Sequence, residues 1–139
     1  MTQTVRALLE LQVGLLFQGR FADMLPRFDL PLAVQVGADM TVLSSQMQFI
    51  DAMANYRDDL IASAVTALVV RMTAVELPRQ GRFRIWADFD HHRAIGVDKS
   101  ADQVILYCRQ EQGDIQVELL HCTRLAQLAE AIPNRARLA

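Results

Sequence analysis

A chain of 139 residues is one domain by length, and with 52% hydrophobic and 22% charged residues it has the composition of a core-forming globular protein, not of a disordered segment. The formal net charge is −2, and the 14 basic residues, all arginine except Lys99, are spread along the chain, so there is no electrostatic footprint for nucleic acid. The longest apolar run, 61–70, is broken by Ser63 and Thr66 and falls far short of the ~20 residues of a membrane span. The first residues lead into a stretch holding Glu10 and Gln12, unlike a signal peptide, so a cytoplasmic protein without membrane contact is expected.

Residues 4–19 carry Val5, Leu8, Leu9, Gln12, Leu15 and Leu16 at helical spacing, with Thr2 or Thr4 as cap and Gly19 as stop. A short helix is expected over 21–28, interrupted at Pro26. Asp29-Leu30-Pro31 then breaks the chain before a small hairpin of 32–36 and 40–43 about Gly37-Ala38-Asp39. Ser45-Gln46-Met47-Gln48 has the form of a capping box. It opens a helix whose apolar face is Ile50, Met53, Ala54, Leu60, Ile61 and Ala64. From Thr66 the period changes to two. Strands are expected at 66–77, 82–92, 102–110 and 115–124, with loops at 78–81, 93–100 and 111–114 and a closing helix over 125–132. No repeat or linker divides the chain, so 1–139 is a single domain.

Turn positions set register, and register sets which side chains share a face. Centring the last turn on Gln112-Gly113 puts Cys108 opposite Val117, Leu106 opposite Leu119 and Val104 opposite His121. The two cysteines then fall on opposite faces and several rows apart, beyond disulfide reach. Centring the earlier turn between Arg79 and Gln80 sets Met72 against Ala87, Val70 against Phe89 and Arg71 against Asp88. One sheet face is then nearly all apolar and needs covering by the helices, running into His91, His121 and Thr123 at one end. The other mixes Arg71, Arg84, Trp86, Asp88, Asp90, Tyr107, Arg109 and Glu118, and aromatics interleaved with arginine are typical of interfaces.

The element order, together with the segments 81–89, 104–109 and 117–125, resembles uncharacterised bacterial members of the nuclear transport factor 2-like (SnoaL-like) superfamily. The likeness spans nearly the whole chain in element order. It implies an α+β fold in which a curved antiparallel sheet wraps N-terminal helices as a cone, the cystatin-like cone, with a pocket inside and dimerisation through the outer sheet face. Some members are lyases, isomerases or polyketide cyclases that use a pocket Asp or His as acid–base, and many have no known activity. No catalytic motif of these enzymes transfers residue by residue.

His91 and His121 are the candidate acid–base pair, since histidine titrates near neutral pH and both sit on the apolar face; a hydrogen-bonded core or rim histidine is the plainer alternative for each. Tyr56, Met72, Phe89 and Thr123 are the candidate ligand contacts, Tyr56 either at the pocket mouth or as a half-buried ring reaching water. Trp86, Tyr107, Arg84 and Arg109 are assigned to a homodimer interface in preference to a ligand shelf. His91 and His92 are adjacent on a strand and point to opposite faces, and the cysteines lack zinc-site spacing, so no metal is expected. No nucleophile elbow or phosphate-cradling glycine loop is present, and no cofactor is expected. The expected function is binding of a small apolar or polycyclic ligand in the cone. The alternatives are a lyase, isomerase or cyclase with a pocket histidine, and a non-catalytic dimeric interaction module.

Overall fold

The two long helices begin and end on local signals. The computed structural model describes residues 2–126, and its first helix, α1 (Thr2–Phe17), stops before Gly19, whose φ of 75° is left-handed. The Gly19 N–H donates to the Leu16 carbonyl and the Arg20 N–H to that of Leu15, closing the helix end. A single turn, α2 (Phe21–Met24), passes at Pro26 into a 3-10 turn, Leu25–Arg27. Helix α3 (Gln46–Ala62) opens with the expected capping box: Ser45 Oγ accepts the Gln48 N–H at 3.1 Å, and Gln48 Oε1 accepts the Ser45 N–H at 3.3 Å. The helix expected over 125–132 lies almost wholly outside the described residues.

Six strands form one sheet in the order β2-β1-β6-β5-β4-β3. They are β1 (Phe28–Val36), β2 (Asp39–Leu43), β3 (Ala67–Val75), β4 (Arg82–Arg93), β5 (Gly96–Glu111) and β6 (Asp114–Arg124). Every pairing is antiparallel except β1 with β6, so the hairpin expected near the N-terminus extends the main sheet by two strands. Its inner face, with Phe83, Ile85, Ala87, Leu106 and Val117 all buried, packs against Val5, Leu9 and Leu16 of α1 and Phe49, Met53 and Leu60 of α3. The rings of Phe28 and Phe49 meet at 5.0 Å between centroids. The sheet therefore covers the helices with one face, and among the described residues no helix packs on the other.

Four local departures from the expected pattern have physical causes. Asp29-Leu30-Pro31 does not end the chain's extended run: β1 passes through it, and Pro31, which has no N–H to give, sits where the ladder to β6 is interrupted between Phe28 and Ala33. The segment 93–100 is not a loop. Arg93 pairs with Gly96 across a tight turn, and the polar run Asp98-Lys99-Ser100 is strand, with Asp98 and Lys99 exposed at the hairpin end. Leu119 and His121 do not face the core. Cys108 opposes Val117 as expected, but Glu118 is an extra residue, so Tyr107 opposes Leu119, Leu106 opposes Leu120 and Ile105 opposes His121. One inserted residue reverses the facing of everything beyond it. Cys122 consequently turns inward, and the two cysteines share the inner face; neither is in a disulfide, and burial pushes the Cys108 thiol up to about 12.

The fourth departure is between β4 and β5. Phe89 opposes Asp102 and His91 opposes Asp98, so β5 takes four residue steps where β4 takes two. The excess is clamped from the outer face. Arg71 grips Asp90 through two bonds of 2.8 and 2.9 Å, and Asp90 Oδ1 accepts the N–H of Ser100, whose own φ is 53°. The Ser100 hydroxyl donates to Asp88 at 2.7 Å. Arg71 does oppose Asp88 in register, as expected, while its fork goes mainly to Asp90.

Asp90 is only 4% exposed, and the Arg71 hydrogen bonds, with help from the Ser100 N–H, hold its carboxyl down at about 2 against an ordinary 3.8. A carboxyl depressed on folding adds stability above its unfolded pKa and loses it as pH falls towards its folded one. Stability should therefore drop between pH 3.8 and about 2. In Asp90→Asn that part of the drop should vanish, with lower stability at neutral pH. Urea midpoints at stepped pH measure both, and an unchanged acid slope in the variant contradicts the assignment.

Candidate functional site

Between α1, α3 and the inner sheet face lies a cavity of about 110 Å³. Its walls are almost wholly apolar: Leu8, Leu9 and Leu16 from α1, Met53 from α3, and Leu68, Phe89, Leu106, Leu120 and Cys122 from the sheet. The bulge at Glu118 is what turns Leu120 and Cys122 into it. Three polar residues also touch it, Gln12, Arg27 and Tyr56. Arg27 is partly exposed and lies 3.7 Å from Asp114.

Tyr56 connects the wall to a buried polar cluster. Its hydroxyl donates to Asp102 Oδ2, which also receives His91 Nε2 at 2.7 Å, while Oδ1 accepts the backbone N–H of Ala126 at 2.8 Å. Asp102 and His91 are both 0% exposed. The excess residues in β5 place Asp102 on the row of Phe89, the inward-facing neighbour of His91, so the two side chains meet on a diagonal across the ladder. Three donors converge on one carboxylate, which is how a charge survives out of water. Burial first, and then the neighbouring Asp102 charge, push the Tyr56 phenol well above its usual range, so Tyr56 is held as a proton donor. His91 Nδ1 is buried without a hydrogen-bond partner.

The structure brings Tyr56 and Phe89 to the cavity wall and His91 to the cluster behind it. Tyr56 is buried and tied to Asp102; it does not reach water as a half-buried ring. His121 is not on the inner face. It is partly exposed on the outer one, opposite Ile105 and Gln35. Thr123 is likewise outside the cavity, exposed in a bulge with its hydroxyl on the Gln103 carbonyl. Met72 packs against the core without lining the cavity. Trp86, Tyr107, Arg84 and Arg109 stand on the outer face: Arg84 is bound by Glu76 and lies over the Trp86 ring at 4.9 Å, and Arg109 pairs with Asp29 and Glu111. Among the described residues no group of His, Cys, Asp and Glu is placed to hold a metal ion, and no helix is long and apolar enough to cross a membrane.

Asp102 is the residue that sequence reasoning missed. Its signal was parity: it stands two before Val104, four before Leu106 and six before Cys108, on the inward positions of β5. An acidic residue in register with an apolar face is a buried charge in need of partners.

This architecture is the nuclear transport factor 2-like, cystatin-like fold. No protein-family model matches the chain, and no curated protein sequence matches it significantly. Solved structures do match. A nuclear transport factor 2-like protein of unknown function from Shewanella oneidensis superposes with a TM-score of 0.66 at 10% identity, over 88% of this chain and 98% of that one. A domain of unknown function with a cystatin-like fold from Nostoc punctiforme gives 0.65 at 12%, over 88% and 76%. A nuclear transport factor 2-like protein from Novosphingobium aromaticivorans gives 0.64 at 10%, over 90% and 82%. At such identities the likeness establishes the fold and leaves activity to the site itself.

The cluster makes a stability prediction. Tyr56→Phe removes one of three donors to a buried carboxylate and should cost about 1–3 kcal/mol. Asp102→Ala strands His91 and Tyr56 together and should cost more, about 3–5 kcal/mol. The double variant should cost less than the sum of the two, because they share a bond. Additive losses in chemical denaturation would show that Tyr56 and Asp102 act separately.

Proposed function

We propose that this protein binds a small apolar molecule inside the cone. The observation that carries this reading is the cavity of about 110 Å³ between α1, α3 and the sheet, left unfilled by the side chains of the described residues, where protein cores are ordinarily close-packed. An engineered apolar cavity of ~150 Å³ takes up benzene, so the space is of single-ring size, smaller than a polycyclic ligand needs. Proton-transfer catalysis has less support, because neither His91 nor His121 is part of the cavity wall. His91 reaches the wall only through Asp102 and Tyr56.

Saturating toluene should raise the melting temperature by roughly 5 °C, since a ligand held only by the native state stabilises it by mass action. Leu120→Trp, which fills the cavity from its rim, should abolish the shift while remaining folded. A wild-type protein indifferent to toluene and other single-ring probes would rule out ligand binding at this site.

The partner reading is a homodimer through the outer sheet face. Its support is two rows that run across five strands: Val42, Ala33, Leu119, Tyr107 and Arg84, and Met40, Gln35, His121, Ile105 and Trp86. Met40 and Val42 are 52% and 51% exposed, and Tyr107, Ile105, Trp86 and Leu119 are partly exposed. A second copy would bury this band, with Tyr and Trp as anchors. Light scattering should give twice the chain mass at micromolar concentration, and Ile105→Glu, within the band between His121 and Trp86, should give monomers. A monomeric wild-type protein contradicts it.

A further inference from the structure

His121 is the titratable residue within the outer apolar band. It is partly exposed, and its row neighbours are Gln35 of β1 and Ile105 of β5. On the diagonals stand Ala33 and Gly37 on one side and Gln103 and Tyr107 on the other. Along β6 it is flanked by Leu119 before it and by Thr123 and Arg124 after it. Tyr107 and Arg124 are the ionisable groups among these neighbours, and none of them is a carboxylate.

Carboxylates that border the band are already engaged. Glu76 is held by Arg84 at 2.7 Å, Glu118 by Arg82 at 3.0 Å, and Asp88 by the Ser100 hydroxyl at 2.7 Å. In a two-fold homodimer each copy meets the other with the same surface, so what reaches His121 from the second copy comes from the same two rows. Those rows hold Arg84 and His121 and no acidic residue. An imidazolium buried between the copies would find no counter-ion on either of them, and it would share the interface with two guanidiniums. A neutral imidazole meets no such penalty.

We propose that the homodimer is held together only while His121 is neutral, so that acidification separates the two copies. This rests on the homodimer reading above and adds its regulation. The separated chain leaves His121 in contact with water, where it takes up a proton that the dimer excludes. Below neutral pH the monomer therefore binds more protons than the dimer, and association weakens as pH falls. The other two histidines are placed differently. His92 stands on a row with Ala67 and Val97, outside the band, and His91 is buried on the inner face in monomer and dimer alike.

Analytical ultracentrifugation at about pH 8 and about pH 5.5, the two sides of the range in which histidine changes charge, measures the dimer dissociation constant in each state. In wild type the constant should rise about a hundredfold at the lower pH, roughly tenfold for each of the two excluded protons. In His121→Gln the ratio of the two constants should fall to near one, whatever the variant's affinity at the higher pH. His121→Phe provides the same comparison should the glutamine variant associate too weakly to measure. His92→Gln should keep the wild-type ratio. Circular dichroism at both pH values should show the fold intact, which separates dissociation from unfolding. A wild-type dimer equally tight at both pH values overturns the inference and leaves the homodimer reading standing. So does a wild-type ratio that persists in the His121 variants. A dimer tighter at the lower pH also overturns it, by revealing a counter-ion for His121. Both variants monomeric at the higher pH would overturn it too, since the ring and not its charge would then hold the copies together. A monomeric wild type at both pH values would reject the homodimer reading itself, a result distinct from the others.

Discussion

The Asp102 carboxylate is the point at which separate parts of the chain depend on one another. It lies on β5 and takes hydrogen bonds from α3 through Tyr56, from β4 through His91 and from the segment after β6 through Ala126. None of these groups is satisfied locally by its own helix or strand. A buried charge is tolerated only when its donors are all in place, and each donor is buried at low cost only because the charge is there. That mutual requirement is strict in geometry, so it fixes how α3 sits over the sheet more sharply than apolar packing alone, which accepts several arrangements of similar volume.

The position of Asp102 is itself set from the opposite face of the sheet. Two surplus residues in β5 bring it to the row of Phe89, and the surplus is held by Asp90, which binds the Ser100 N–H while gripped by Arg71. An outer-face ion pair thereby places an inner-face carboxylate through the backbone between them. The bulge at Glu118 works in the same manner on the neighbouring ladder. It sends His121 outward and Leu120 and Cys122 inward, so the cavity is lined by apolar groups where unbroken alternation would have put a histidine.

These bulges mark the limit of what could be read from the residues. The helices were legible because their signals are local: the Ser45–Gln48 box, the Gly19 stop and the apolar spacing of α1. The cone was legible from element order. The β3–β4 register was legible up to Met72, where alternation is unbroken, and a bulge between Met72 and Ala74 shifts it beyond that point. Nothing in Glu118-Leu119-Leu120 says which leucine faces inward, since both are apolar and the choice is made by a neighbouring strand. The same holds for Asp98-Lys99-Ser100, whose polarity suits a loop equally well. Of the strand candidates, Phe89 and His91 take the inner face that alternation predicts, whereas His121 and Thr123 lie beyond the bulge and take the outer one; Tyr56, on a helix, is buried where a ring reaching water was the alternative. Asp102 follows the same parity rule as Val104 and Leu106, and its partners come from α3, β4 and the segment after β6, which no local signal in β5 announces.

Fold and wall are therefore governed by different residues. Chains about 10% identical adopt this same cone, so its shape tolerates nearly complete replacement of side chains. What such replacement does not preserve is the chemistry of the wall, and that is where a chain's own function resides. In this chain the apolar wall residues set the size of what fits, and they are interchangeable in kind. Gln12, whose Oε1 is buried without a hydrogen-bond partner, is the one wall residue of α1 that departs from that kind.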